Sequence, residues 1–451
     1  MGETIVAFSV SRRTAYDLDA LREQFLSAWN RSDEILGIVK SHAMLSRPIA
    51  LRNPFIFYAG HLPAFAWNQI CCGILRWKSF NPYFDELFSR GIDPDVETGA
   101  CHAHPDAPQA WPDLSAVLDY RDRVRSAVLN SFDAVREHAS RTVMAEKGRV
   151  FTMVLEHEFM HQETLLYMIQ EAPLEMKQRL RTALPYRFAV EPAGAQIVIP
   201  RGEATLGARF DALHFGWDNE FPELKVEVPS FTLDSLPVTN GRYLEFVHSG
   251  GYDKRQWWSE EDWNWKSRAG LVHPIVWRRA ENRWLYRTLF DLLPLEQVSS
   301  WPVYVSLAEA RAYARWRGAR LPREAEFHRA AYGVSPAQVN TGNLDFTCWS
   351  PAPAGTDRQD NHPLGIKDLI GNGWEWTETP FQPFPGFSPY IAGYKEYSAD
   401  FFDGKHFVLK GASWATAREL ARPSFRNWYQ AHYAYVFAKF RCISDCDGGA
   451  S

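Results

Sequence analysis

Four segments in the first 171 residues carry apolar positions spaced by three and four, and that number decides what this part of the chain can fold into. They are 15–31 (AYDLDALREQFLSAWNR), 55–77 (FIFYAGHLPAFAWNQICCGILRW), 114–139 (LSAVLDYRDRVRSAVLNSFDAVREHA) and 149–171 (RVFTMVLEHEFMHQETLLYMIQE). Four such segments predict a four-helix bundle. The connections at 32–54 and 78–113 are long and rich in Pro, Asp and His, and long loops in a compact domain are often functional. No charge falls between Arg52 and Arg76, yet that stretch holds Pro54, Gly60, His61, Pro63, Asn68 and Gln69. Such polar studding predicts a helix buried in protein rather than one crossing a bilayer.

The character of the chain changes near LPYRFAVEPAGAQ, residues 184–196. Short β-like runs follow, such as IVIP, KVEVPSFTL and HFVLKGASW, broken by Gly, Pro, Asn and Asp, with one clear helix at 306–317. The chain therefore reads as α+β and multidomain, with a helical bundle over 1–188 and a loop-rich domain over 189–451. Eighteen Trp, 28 Gly and 28 Pro fit a second domain of loops packed with aromatic rings.

A net charge of −5 with no basic block argues against nucleic acid and anionic membranes as partners. The opening residues, MGETIVAFSVSRR, lack the pattern of a signal peptide. Six Cys at 71, 72, 101, 348, 442 and 446 form no repeated C-x-x-C pair, which suits a reduced, cytoplasmic protein.

The fourth segment contains His-Glu-x-x-His. His157 and His161 lie four residues apart, so on a helix both imidazoles share one face and can bind one divalent metal. The same spacing marks zinc proteases, but no His-x-x-Gly-x-x-His continuation follows His161. His61, in the other apolar helix, is the candidate third ligand. Glu163 lies about 240° around the helix from His157 and cannot share one metal with both histidines, so it is expected behind them, holding an imidazole N–H or a substrate. Zinc on three imidazoles would make a hydrolase or thiol-transfer catalyst, with Glu158 as the base of a hydrolase. Ferrous iron there could bind a thiolate and dioxygen together. The residue pattern leaves both open.

The segments FGWDNEFPELKVEVPSFTLDSLPVTNGRYLEF (215–246), VSLAEARAYARWRGARLPREAEFHRAA (305–331), GNGWEWTETPF (371–381), LKGASWATA (409–417) and KFRCISD (439–445) resemble, in order, the formylglycine-generating-enzyme or sulfatase-modifying-factor fold. A DinB-like bundle with His…HxxxHxE joined to that fold resembles the ergothioneine-biosynthesis sulfoxide synthases. The resemblance implies a non-heme Fe(2+) enzyme that joins hercynine, at imidazole C2, to the sulfur of cysteine or γ-glutamylcysteine with O2. It implies His61, His157 and His161 as iron ligands. O2 takes four electrons; forming the C–S bond supplies two and oxidising the sulfur supplies two. No flavin or nicotinamide is required, and the chain holds no G-x-G-x-x-G. Formylglycine chemistry itself needs a cysteine pair that GASWATARELARPSFRNWYQ, residues 411–430, lacks.

By the same resemblance, Asn427, Trp428 and Tyr429 of RNWYQ meet hercynine, whose trimethylammonium favours aromatic faces. Met160 stands where some relatives have a hercynine-contacting Gln. Carboxylates of the thiol substrate call for an Arg; Arg90 and Arg426 are the candidates. Tyr390 and Tyr83 are the candidate proton donors. A calcium ion in the second domain is also implied. Rival readings on this scaffold are a selenoneine synthase, an ovothiol-type 5-histidylcysteine sulfoxide synthase, the His-Glu-x-x-His zinc hydrolase and a non-catalytic binding module.

Overall fold

The computed structural model describes residues 17–89, 110–139, 141–334, 342–357, 362–391, 393–394 and 396–446, with the backbone of 94–95 and 100–101. Arg90, the candidate carboxylate ligand, lies outside the described residues.

Helix α1 spans Leu18–Leu36 and is started by Asp17, whose Oδ1 accepts from the N–H groups of Asp19 and Ala20. Its inward face is Leu21, Phe25, Ala28, Trp29, Ser32 and Ile35, spaced as the periodicity required. Helix α2 spans Phe55–Ala66, and from Trp67 to Ile74 the ladder widens into a π-helix, a form concentrated at functional sites. Helix α3 covers Leu114–Asn130, where the sequence predicted one helix to 139. The break falls at Ser131, whose Oγ donates to the Val128 carbonyl, and a separate turn of helix follows over Phe132–Glu137.

Helix α4, Arg149–Glu171, is preceded by Gly148 at φ 69°, a left-handed conformation that glycine adopts without strain, and stops just before Pro173. Nearly all of its circumference is buried, so it is the central helix rather than a surface one. One side faces α1, where Gln162 Nε2 donates to the Ala28 carbonyl and Ser32 Oγ donates to Glu158. The other side faces the C-terminal half.

That half begins its first strand at Gln196. Its central sheet holds β1 (Gly373–Pro380), β2 (His406–Ala412), β3 (Asn427–Gln430) and β4 (Ala438–Lys439) in the order β3-β2-β1-β4. The β2–β3 register pairs Val408 with Trp428 and Leu409 with Asn427. This pairing sets the RNWYQ segment at the sheet edge facing the bundle. One apolar core runs through both halves: the Tyr167 ring of α4 meets Tyr433 at 6.1 Å and Phe437 at 6.3 Å. Among the described residues no helix is long and apolar enough to cross a membrane.

Candidate metal centre

Helices α2 and α4 bring His61, His157 and His161 together as the pattern predicted. All three are buried, and their ligand atoms lie within 4.8 Å of one another. His61 Nε2 stands 3.2 Å from His161 Nε2, which stands 3.0 Å from His157 Nε2. That is the spacing of nitrogens sharing one ion, since metal–nitrogen bonds are about 2.0–2.1 Å. His61 Nδ1 donates to the Phe88 carbonyl at 2.7 Å, and a carbonyl only accepts. The His61 proton is therefore on Nδ1, and a bare lone pair on Nε2 faces the other two rings.

Burial lowers the His61 pKa to about 4 against the opposing Phe88 hydrogen bond, and holds those of His157 and His161 well below the usual value, where neighbouring histidines add to the shift, as does Arg52 for His161. The rings are neutral at pH 7. Lone pairs converging at this distance repel unless a cation lies between them, and burial opposes a proton there. A divalent metal fits the donor set. Three neutral nitrogens leave its charge undiminished and positions open.

The cavity beside the triad is walled by both halves. His157, His161 and Met160 come from α4, Trp374 from β1, and Asn427, Trp428 and Tyr429 from β3. Trp428 sits in an aromatic cluster, stacked on Phe401 at 4.2 Å and on Phe381 at 5.3 Å, with Tyr397 at 6.0 Å. Burial pushes the Tyr429 hydroxyl up, so it is neutral. Asn427 turns its Oδ1 toward the Trp428 N–H.

Other expected residues are placed elsewhere. Tyr390 is turned away: its hydroxyl donates to the Gly216 carbonyl and its ring packs on Phe210 and Phe221. Tyr83 is 58% exposed on a short surface helix. Arg426 is spent on Glu324, with Nε–Oε1 at 3.0 Å and Nη2–Oε2 at 3.1 Å. Glu163 does line the cavity, but its carboxylate grips the C-terminal half rather than an imidazole. The reason is angular: Glu163 is two residues, about 200°, from His161. Glu158 likewise turns to Ser32 on α1, away from the cavity, which takes the base from the hydrolase reading. Among the described residues, the three histidines are the one cluster of three or more His, Cys, Asp or Glu ligands.

Two cavity tyrosines escaped the sequence reading. The Tyr394 ring meets His157 at 6.4 Å and Phe65 at 5.2 Å, both in T-shaped pairs. Tyr397 donates its hydroxyl to Met160 Sδ at 3.3 Å. The crowding of Tyr in PYIAGYKEY was the available signal; which of them faces the metal side depends on the loop path.

Comparison with known proteins places this geometry. Residues 24–165 match the DinB superfamily, and residues 181–446 match the sulfatase-modifying factor enzyme 1-like domain. A hercynine oxygenase of Mycolicibacterium thermoresistibile is 36% identical over 342 residues, covering 72% of this chain and 73% of that protein. The hercynine oxygenase of Mycolicibacterium smegmatis is 34% identical over 347 residues, covering 72% and 77%. Ergothioneine biosynthesis protein 1 of Neurospora crassa is 30% identical over 492 residues, covering 89% of this chain but only 55% of that longer protein. With a buried three-histidine cluster on a DinB-type bundle and an aromatic cavity wall from the second domain, the chain belongs to the hercynine oxygenase family.

Proposed function

We propose that this protein is a non-heme iron(II), O2-dependent sulfoxide synthase that joins hercynine, at imidazole C2, to the sulfur of cysteine or γ-glutamylcysteine. The observation that carries the proposal is the convergence of three neutral imidazoles, from two helices, two of which (His157 and His161) line a cavity completed by the second domain. His61, His157 and His161 are the residues that would hold the iron. When bound, ferrous iron supplies a centre that takes a thiolate and O2 side by side.

The chain's own residues then divide the remaining work. The His61–Phe88 hydrogen bond fixes one ring in the ligating tautomer. Asn427, Trp428 and Tyr429 form the wall on which hercynine is oriented, with aromatic rings and neutral polar groups suited to a trimethylammonium. Tyr394, beside His157, replaces Tyr390 as the proton donor. The bundle ends and the second domain begins near residue 188. Small molecules are the partners, and the cytoplasm, where a thiol donor stays reduced, is the expected location; the described cysteines are free thiols.

The decisive experiment incubates iron-loaded protein and O2 with hercynine or histidine, each paired with cysteine, γ-glutamylcysteine or a selenosugar, and reads product mass. A hercynine–thiol sulfoxide supports the proposal. A histidine adduct or a selenium adduct as the main product would reassign the chain to an ovothiol-type or selenoneine-type reaction. Zinc-dependent hydrolysis without any adduct would end the proposal.

Trp428→Ala is expected to raise KM for hercynine about tenfold while leaving KM for the thiol within about threefold, as the loss of one aromatic contact to a cation should. Steady-state kinetics with each substrate varied in turn checks this. Equal increases for both substrates would place Trp428 outside the hercynine subsite.

A further inference from the structure

Three carboxylates on α4 reach out of the bundle, and each is gripped by the second domain. Glu156 accepts from Arg422 at 2.7 and 2.9 Å and from the Trp217 indole N–H at 2.9 Å. Glu163 accepts from the Trp374 indole N–H at 2.9 Å, Ser413 Oγ at 2.7 Å and Thr416 Oγ1 at 2.8 Å. Glu171 accepts from Arg287 at 3.1 Å and Arg278 at 3.4 Å. Seven and eight residues separate them, about two helical turns each, so the three fall within an arc of about 80°. His157 and His161 lie about 100° and 140° around from Glu156, on the adjoining face.

The rung at Glu163 differs from the other two. The Glu171 rung rests on two arginines and the Glu156 rung on an arginine with one indole, and arginines are long and adjustable. Glu163 rests on three short, rigidly mounted donors: an indole on β1 and two hydroxyls in the turn that follows β2. Ser413 is itself held by its own turn, donating no freedom to slide: its backbone N–H donates to Thr416 Oγ1 at 2.8 Å, and the Ala415 N–H donates to Ser413 Oγ at 3.0 Å. Glu163 sits two residues from His161, so a rotation or slip of α4 that disturbs this rung moves the imidazole with it. The partner histidine, His61, is on a different helix and does not follow. Helix α2 has its own tie, from Gln69 Nε2 in the π-turn to the Gly393 carbonyl.

We infer that Glu163 is a positioning residue, through which the second domain fixes the rotation of α4 and thereby closes the three-histidine site to metal-binding distance. The inference rests on the reading of His61, His157 and His161 as metal ligands. It predicts that groups in the second domain, on a different part of the chain from any ligand, control metal affinity.

The test uses the full chain, metal-free and then titrated with Co(II), whose visible spectrum reports coordination geometry. Glu163→Ala should weaken Co(II) binding by about 10- to 100-fold and alter the spectrum. Glu163→Gln keeps an oxygen for the indole and Ser413 and offers an N–H to Thr416, so it should recover to within about threefold of the unmodified chain. The pair Ser413→Ala with Thr416→Ala removes the clamp without touching α4 and should reproduce the Glu163→Ala defect; it carries the test if Glu163→Ala does not fold. A purely structural Glu163 would lower the melting temperature yet leave the dissociation constant and the spectrum of the folded variants unchanged, and that result overturns the inference. Failure of the unmodified chain to bind Co(II) would instead remove the metal reading beneath it.

Discussion

His61→Ala, His157→Ala and His161→Ala should each weaken iron binding about 100-fold and abolish product formation. A complete four-ligand structural zinc site yields about 10–16 kcal/mol, on the order of 3 kcal/mol per ligand, so losing one of three imidazoles costs about two decades in affinity. No described side chain is placed to take over, because the triad is the sole cluster of its kind among the described residues. Anaerobic reconstitution followed by metal analysis reads the loss directly. Thermal unfolding gives an independent reading: metal bound only by the folded chain raises the melting temperature, and a chelator reverses the rise. Each alanine variant should lose that rise while remaining folded, since removing a buried neutral ring relieves lone-pair crowding even as it leaves a hole. Iron retained in all three variants would refute the site. Glu158→Gln, by contrast, should leave turnover within about threefold, because that carboxylate faces Ser32 and not the cavity; a collapse of activity there would revive the hydrolase reading.

Helical periodicity located the bundle helices most directly in α1 and α3, which bury a stripe written every three to four residues; α2 and α4, buried nearly all round, stood out as long apolar segments. It missed the interruption at Ser131, since a single hydroxyl turning onto a backbone carbonyl leaves no periodic trace. The histidine pair was legible from its spacing alone. His61 needed the bundle as context: by itself, a histidine in an apolar helix predicts only a buried imidazole. Glu163 shows the limit most clearly. Helix geometry excluded it from the metal, but its partners Trp374, Ser413 and Thr416 lie 211 to 253 residues away, and nothing local announces them. The different surroundings of Tyr390 and Tyr394 were hidden for a similar reason. Both occur in one short loop, and their side chains part company only when that loop crosses Gly216 on one side and Phe65 on the other.

Tyr394→Phe should therefore lower kcat by about 10²- to 10⁴-fold, the range expected on removing a positioned proton donor, while KM for hercynine changes by less than about threefold. The prediction rests on position: Tyr394 lines the cavity, and its ring meets the His157 ring at 6.4 Å. The Tyr390 hydroxyl donates a hydrogen bond to the Gly216 carbonyl, the Tyr397 hydroxyl donates one to Met160 Sδ, and Tyr83 is at the surface. Tyr394 is half-buried in the cavity wall, beside the His157 ring. A phenol suits the task because it stays protonated at pH 7 and yet can release its proton to a strongly basic oxygen. Phenylalanine keeps the ring packing against Phe65 and removes only the hydroxyl, so a fall in kcat reports the proton and not the fold. Kinetics of Tyr394→Phe, Tyr397→Phe and Tyr390→Phe side by side decide the matter: a normal rate for the first with a large fall for either of the others would move the proton donor to that residue.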